Sequence, residues 1–201
     1  MTPQQIDVTN DREYWTDFYN NYSNLQCSDF CKFVLDFFKE RLITNVLDAG
    51  CGTGRDSYKL SERYTVTGVD SSGYKPVWQP QCQFYTDDFC THDKKKYDLI
   101  YSRFTFHSIT NEQHATFLKS MKPNQWLAIE CRSDWDKDEE KVHGEGHYRN
   151  YVNLVYLLDL IREHGFTLKY CRHAKGLAPY KTEDPMCIRL VAIKDLDVRQ
   201  L

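Results

Sequence analysis

The chain has 201 residues, 41% of them hydrophobic and 14% aromatic, with a formal net charge of −3. That is one ordinary domain with enough apolar material for a full core, and the composition is globular rather than disordered. Mild acidity without a long basic patch argues against general nucleic-acid binding, and no apolar run approaches the roughly 18 residues of a membrane helix.

Residues 1–10 are polar and read as a frayed end. Over 11–24, Tyr14, Trp15, Phe18, Tyr19 and Tyr22 recur at helical spacing, so a helix with one aromatic face is expected. That face suits packing over a sheet, or closing over a ligand, because ring faces attract cations. A second helix is expected over 30–40, capped by Ser28 or Asp29, with Phe33, Val34, Phe37 and Phe38 as its apolar stripe. A strand over 43–47 then runs into Asp48 and a turn with Gly50, Gly52 and Gly54 at alternate positions, and Arg55-Asp56-Ser57 opens the next helix. Arginine is unfavourable at a helix start, which gives Arg55 another task, such as pairing with a ligand carboxylate.

This strand, glycine turn and helix start present bare backbone and unpaired N–H groups to a ligand. The spacing is not G-x-G-x-x-G, and the phosphate lysine of a P-loop is missing. Asp48 would repel a pyrophosphate. A second strand over 65–69 ends in Asp70, followed by Ser71, and an acid at that place typically holds ribose hydroxyls. A nucleoside with a positive group and no phosphate fits both carboxylates, and S-adenosylmethionine is such a molecule.

Leu47-Asp48-Ala49-Gly50-Cys51-Gly52-Thr53-Gly54 together with Val66-Thr67-Gly68-Val69-Asp70-Ser71-Ser72 resemble the class I S-adenosylmethionine-dependent methyltransferases. The resemblance implies a single-domain α/β Rossmann-like fold: a seven-stranded, mostly parallel sheet with an antiparallel last strand and helices on both faces. It implies that residues 1–41 form a helical lid in which Tyr14, Trp15 and Tyr19 close over the methionine end. It also implies that an acid after strand three, Asp88 in preference to Asp87, holds the adenine amino group beside Phe89.

Residues 71–81, with Gly73, Pro76 and Pro80, leave room for only a short helix or none, which would open this edge of the pocket. Strands follow over 82–85 and 97–102, and Lys94-Lys95-Lys96 reads as a solvated turn. Ser102, Arg103, Phe104 and His107 come at the carboxyl end of strand four, where open α/β sheets place ligands. A helix over 112–121 and a strand over 126–131 lead to the irregular stretch 132–151, read as a substrate-side loop. Its Arg132, Asp134, Asp136, His143, Glu145, His147, Tyr148 and Arg149 suit a polar acceptor. The last elements are a helix over 152–163 closed by Gly165, strands over 166–172 and 188–193, and a connecting loop carrying Tyr180.

Methyl transfer to oxygen needs alignment and a proton acceptor. His107 is the first candidate base and His147 the second, with His147 better suited to binding substrate. Arg132 and Arg149 suit phosphate or carboxylate, unless they pair with Asp134, Asp136 or Glu145. A finer resemblance, through Glu130-Cys131-Arg132-Ser133, Gly146-His147-Tyr148-Arg149, Ala178-Pro179-Tyr180 and Glu183-Asp184-Pro185 with Cys187-Ile188-Arg189, is to methyltransferases encoded among surface-polysaccharide genes. It implies a sugar or nucleotide-linked sugar as acceptor, in glycan biosynthesis. Gly54-Arg55-Asp56-Ser57 also resembles thiopurine- and tellurite-type methyltransferases, and a non-catalytic scaffold of the same fold is the third reading. The eight cysteines form no C-x-x-C pair, so no zinc site is expected; they read as buried reduced thiols of a cytoplasmic monomer or homodimer.

Overall fold

The computed structural model describes residues 8–22, 24–138 and 147–196; His143, Gly144, Glu145 and Gly146 lie outside the described residues. The elements run α1 (Val8–Asn20), α2 (Asp29–Phe37), β1 (Asn45–Ala49), α3 (Arg55–Leu60), β2 (Thr65–Asp70), β3 (Cys82–Thr86), β4 (Leu99–Arg103), α4 (Asn111–Lys119), β5 (Trp126–Arg132), α5 (Leu154–Glu163), β6 (Phe166–Ala174) and β7 (Cys187–Lys194). The seven strands form one sheet in the order β3-β2-β1-β4-β5-β7-β6. Only β7 is antiparallel to its neighbours, so the expected architecture is the observed one.

The inner strands are near-continuous apolar runs because both faces are covered. Alternate residues serve opposite cores. Val46, Leu99, Tyr101, Ala128 and Val191 face Phe30, Val34 and Phe38 of the α2 segment and Leu60 of α3. Leu47, Ile100, Leu127 and Ile129 face Phe117 of α4 and Leu157 and Ile161 of α5. Ser28 caps α2, its side chain accepting from Cys31 N–H, and Thr110 with Gln113 makes a capping box on α4. Gly165, at φ 70°, follows the end of α5 in the left-handed conformation that stops a helix there.

Between β2 and β3 the chain is irregular, as residues 71–81 foretold. The edge is not bare, however. Thr16 Oγ1 of α1 accepts Gly73 N–H at 2.7 Å, and Tyr19 meets Tyr74 edge-on at 6.0 Å. Two further expectations are corrected. Lys94 is fully buried, its ammonium donating to the carbonyls of Phe89, Cys90 and His92 at 2.9, 3.0 and 3.2 Å. Cys171 is exposed, because β6 is an edge strand. Among the described residues no helix is long and apolar enough to cross a membrane.

Candidate active site

Strand order reverses at β1, which pairs with β2 on one side and β4 on the other. The crevice beyond the carboxyl ends of these strands is where such sheets bind ligands. It holds a cavity of about 820 Å³, a volume suited to a cofactor and a small partner.

The cofactor wall is built from the glycine turn. Gly50 and Cys51 N–H bond to Val69 O at 2.7 and 3.1 Å, and Gly52 N–H bonds to Asp70 Oδ2 at 2.9 Å, so β2 pins the turn. Asp70 Oδ1 accepts Ser72 N–H at 2.9 Å. At Gly52 (φ 51°) a Cβ would stand 2.7 Å from the Tyr19 ring, and at Gly50 (φ 80°) 2.0 Å from Thr105 Cγ2. Both positions therefore exclude a side chain on conformation and on space. Asp48 is buried and accepts Ser57 Oγ–H at 2.5 Å; burial pushes its carboxyl up to about 7, against the pull of that hydrogen bond.

Helix α1 lies across this wall. Trp15, Phe18, Tyr19 and Tyr22 line the cavity. Arg55 donates to Tyr22 Oη at 3.1 Å, and its guanidinium sits 5.6 Å from that ring. At the other end of α1, Asp11 Oδ1 accepts Tyr148 N–H at 3.1 Å, tying the helix to the substrate-side loop.

The opposite wall rises from β4 and β5. Arg103, Glu130 and Arg189 occupy one cross-strand row. Glu130, fully buried, accepts Arg103 Nε–H at 3.1 Å and Arg189 Nη2–H at 2.6 Å. Phe104 turns the chain out of β4 at φ 60°, a conformation that costs a non-glycine residue about 1–3 kcal/mol. Its N–H bonds Glu130 O at 2.7 Å, and its ring lies 4.2 Å from the Arg103 guanidinium and 5.7 Å from that of Arg132. Among the described residues, Arg132 is paired with Glu183. His107 is buried at the cavity, and its Nδ1 accepts the backbone N–H of Arg132 at 3.1 Å. A backbone N–H can only donate, so the neutral ring carries its proton on Nε2. Burial, with Arg132, Arg149, His147 and Arg103 nearby, holds His107 well below the usual imidazole range. It is a hydrogen-bond donor in this geometry, which corrects its reading as the base.

Most of the residues singled out in sequence meet at this cavity: Trp15, Tyr19, Asp48, Gly50, Gly52, Arg55, Asp70, Ser71, Asp88, Phe89, Arg103, Phe104, His107, Arg132, His147, Tyr148, Arg149 and Tyr180. Six do not line it, among them Asp136, which accepts Met186 N–H at 2.8 Å. Tyr14 stacks on His147 at 4.4 Å, from behind. Gly54 starts α3 at φ 77° and packs toward Phe84. Asp87 turns to His92 at 2.8 Å, leaving Asp88 at the cavity. Ser102 bonds Thr105. Asp134 accepts from Asn153, the cap of α5, at 2.8 Å. Sequence reasoning missed Asp56, which lines the cavity and holds Ser28 N–H, Ser28 Oγ and Tyr101 Oη at 2.6–2.7 Å. Its adjacency to Arg55 was the available signal; its partners, 28 and 45 residues away, were not readable.

A family model described as "Methyltransferase domain" matches residues 19–170. Over 105 residues the chain is 29% identical to malonyl-[acyl-carrier protein] O-methyltransferase 1 of Ilyobacter polytropus, covering 47% of this chain; the match spans 39% of that relative's length. Among solved structures, the chain is similar to a Burkholderia thailandensis 1,6-didemethyltoxoflavin-N1-methyltransferase with bound S-adenosylhomocysteine, at TM-score 0.66, 18% identity, and coverage of 94% of this chain and 86% of that one. It is also similar to the magnesium protoporphyrin IX methyltransferase of Synechocystis PCC 6803 with bound S-adenosylmethionine, at TM-score 0.69, 15% identity, and coverage of 97% and 100%. At such identities the two structures speak for the fold.

Proposed function

The chain belongs to the methyltransferase-domain family, and from that premise we propose that it is an S-adenosylmethionine-dependent enzyme that methylates an oxygen of a small polar acceptor, a sugar or nucleotide-linked sugar in glycan biosynthesis. The observation that carries the reading is one cavity with two unlike walls. Asp48 and Asp70 bracket bare backbone on one side, and Arg103, His107 and Arg149 line the other. The first wall suits a cationic cofactor: Asp48 for its positive methionine end, Asp70 for ribose and Asp88 for adenine. Tyr19 and Trp15 would close over the sulfonium, and Arg55 would take the methionine carboxylate. The curated relative is by its name an O-methyltransferase, which supports oxygen as the atom attacked.

Catalysis then lies in holding the acceptor in line with the S–CH₃ bond and excluding water. Arg103, Arg132 and Arg149 orient an anionic group, His107 donates to an acceptor oxygen through Nε2, and Tyr148 and Tyr180 flank the ring. His147 serves binding. The test is titration calorimetry with S-adenosylmethionine, followed by a panel of sugars and nucleotide sugars with methyl-labelled cofactor, read by product mass. Binding and labelled sugar are expected. Label passing only to thiols would move the enzyme to the sulfur-methylating class, and failure to bind the cofactor would make it a scaffold.

A further inference from the structure

We propose that the oxygen this enzyme methylates is already anionic when it meets the cofactor: an oxyacid oxygen, carboxylate or phosphate, and not an alcohol. The inference rests on the O-methyltransferase reading above and names its acceptor class.

The acceptor wall is a set of hydrogen-bond donors. His107 Nδ1 is occupied by Arg132 N–H, which leaves Nε2–H as the ring's remaining polar group. The guanidiniums of Arg103 and Arg132 are steadied over Phe104, at 4.2 and 5.7 Å from its ring. Their counter-charges, Glu130 and Glu183, do not line the cavity. Glu130 also serves two arginines at once, so that row keeps one positive charge in excess. Among the described residues, the carboxylates that line the cavity are held elsewhere: Asp48 by Ser57, Asp56 by Ser28 and Tyr101, Asp70 by Gly52 and Ser72, Asp11 by Tyr148, Asp29 by Lys32 and Asp88 by Cys90 N–H. His147 is packed between Tyr14 at 4.4 Å and Trp15 at 4.7 Å.

Among the described residues, such a wall stabilises an oxyanion and does not collect a proton. An alcohol must lose a proton as its oxygen bonds to carbon, and something must accept it. An oxyacid anion needs no such step. Its lone pair forms the O–CH₃ bond, the S–CH₃ bond breaks with its electron pair left on sulfur, and the sulfonium and one negative charge of the acceptor cancel. The products are a methyl ester and S-adenosylhomocysteine, with no proton released.

Protons released per S-adenosylhomocysteine formed, followed with an indicator in weak buffer, separate the two cases. The panel has three arms: sugar carboxylates, sugar phosphates and neutral sugars. Ester formation in one of the first two arms without proton release is expected, and the productive arm tells carboxylate from phosphate. Methylation confined to hydroxyls, with a full proton for each turnover, overturns the proposal. Independently of turnover, malonate and inorganic phosphate are titrated into the S-adenosylhomocysteine complex. One of them should bind, and R149Q should weaken it about ten-fold or more while cofactor affinity holds. Binding of neither anion overturns the proposal. His147→Asn should raise KM and leave the pH profile of kcat in place; a kcat loss of about 10²–10⁴ with the acidic limb displaced or abolished would make His147 a base and sink the idea. Methyl found on sulfur or nitrogen, or no cofactor binding, would fail the parent reading instead.

Discussion

At Asp48 burial and ligand charge pull in opposite directions. The carboxyl stands at about 7 because desolvation disfavours its anion, so near pH 6 the cavity holds mostly the neutral acid. A bound cation favours the carboxylate and draws its pKa down. Cofactor binding should therefore release a proton below about pH 7, with affinity rising as pH approaches that value and levelling off above it. Calorimetry in two buffers of different ionisation heat should detect the released proton near pH 6 and little near pH 8, and Asp48→Asn should abolish it. The same shift has a stability sign. The folded pKa lies above the unfolded value of about 3.9, so this residue's contribution to stability in the ligand-free protein is present at low pH and is lost as pH rises from about 4 to about 7. That Asp48 would face the ligand was readable from its place before the glycines. Its state was not, because burial and the Ser57 bond belong to the packed molecule.

The connection into β4 depends on Lys94, which in sequence is one member of a charge run. Three carbonyls collect its ammonium, and the Phe117 ring of α4 lies 4.5 Å beneath it. Burial lowers the group to about 8, still charged near neutrality. Lys94→Met should leave those carbonyls unmatched and cost about 1–3 kcal/mol in chemical denaturation, whereas Lys95→Met and Lys96→Met, both exposed, should change little. The three lysines are alike in sequence; only docking of the turn onto α4 decides which points inward. The Arg103–Glu130–Arg189 row has the same origin. Each residue stands near the carboxyl end of β4 or β5, or near the amino end of β7, and the antiparallel course of β7 brings the ends level.

Across the whole molecule, α1 spans both walls of the site. It reaches the β2–β3 connection through Thr16 and Gly73, covers Gly52 with Tyr19, and meets the substrate segment through Asp11 and Tyr148. Both ligands would be enclosed beneath it. Thr16→Val should remove one strut without disturbing the sheet, so cofactor affinity should fall about 2–10-fold with unfolding nearly unchanged; calorimetry and a denaturation curve on the same sample check both halves.

Local chemistry alone determined the nature of the first ligand. Alternate glycines between two acid-tipped strands specify bare backbone beside negative charge, and the hydrophobic runs specify a sheet covered on both faces. The tertiary structure decided the rest: which carboxylates are buried, which nitrogen of His107 carries the proton, and that Arg132 belongs to Glu183, 51 residues on. Periodicity and turn chemistry act over a few residues and survive in the order of the chain. Protonation and pairing depend on dielectric and on distance through space, and those exist only once the sheet is assembled.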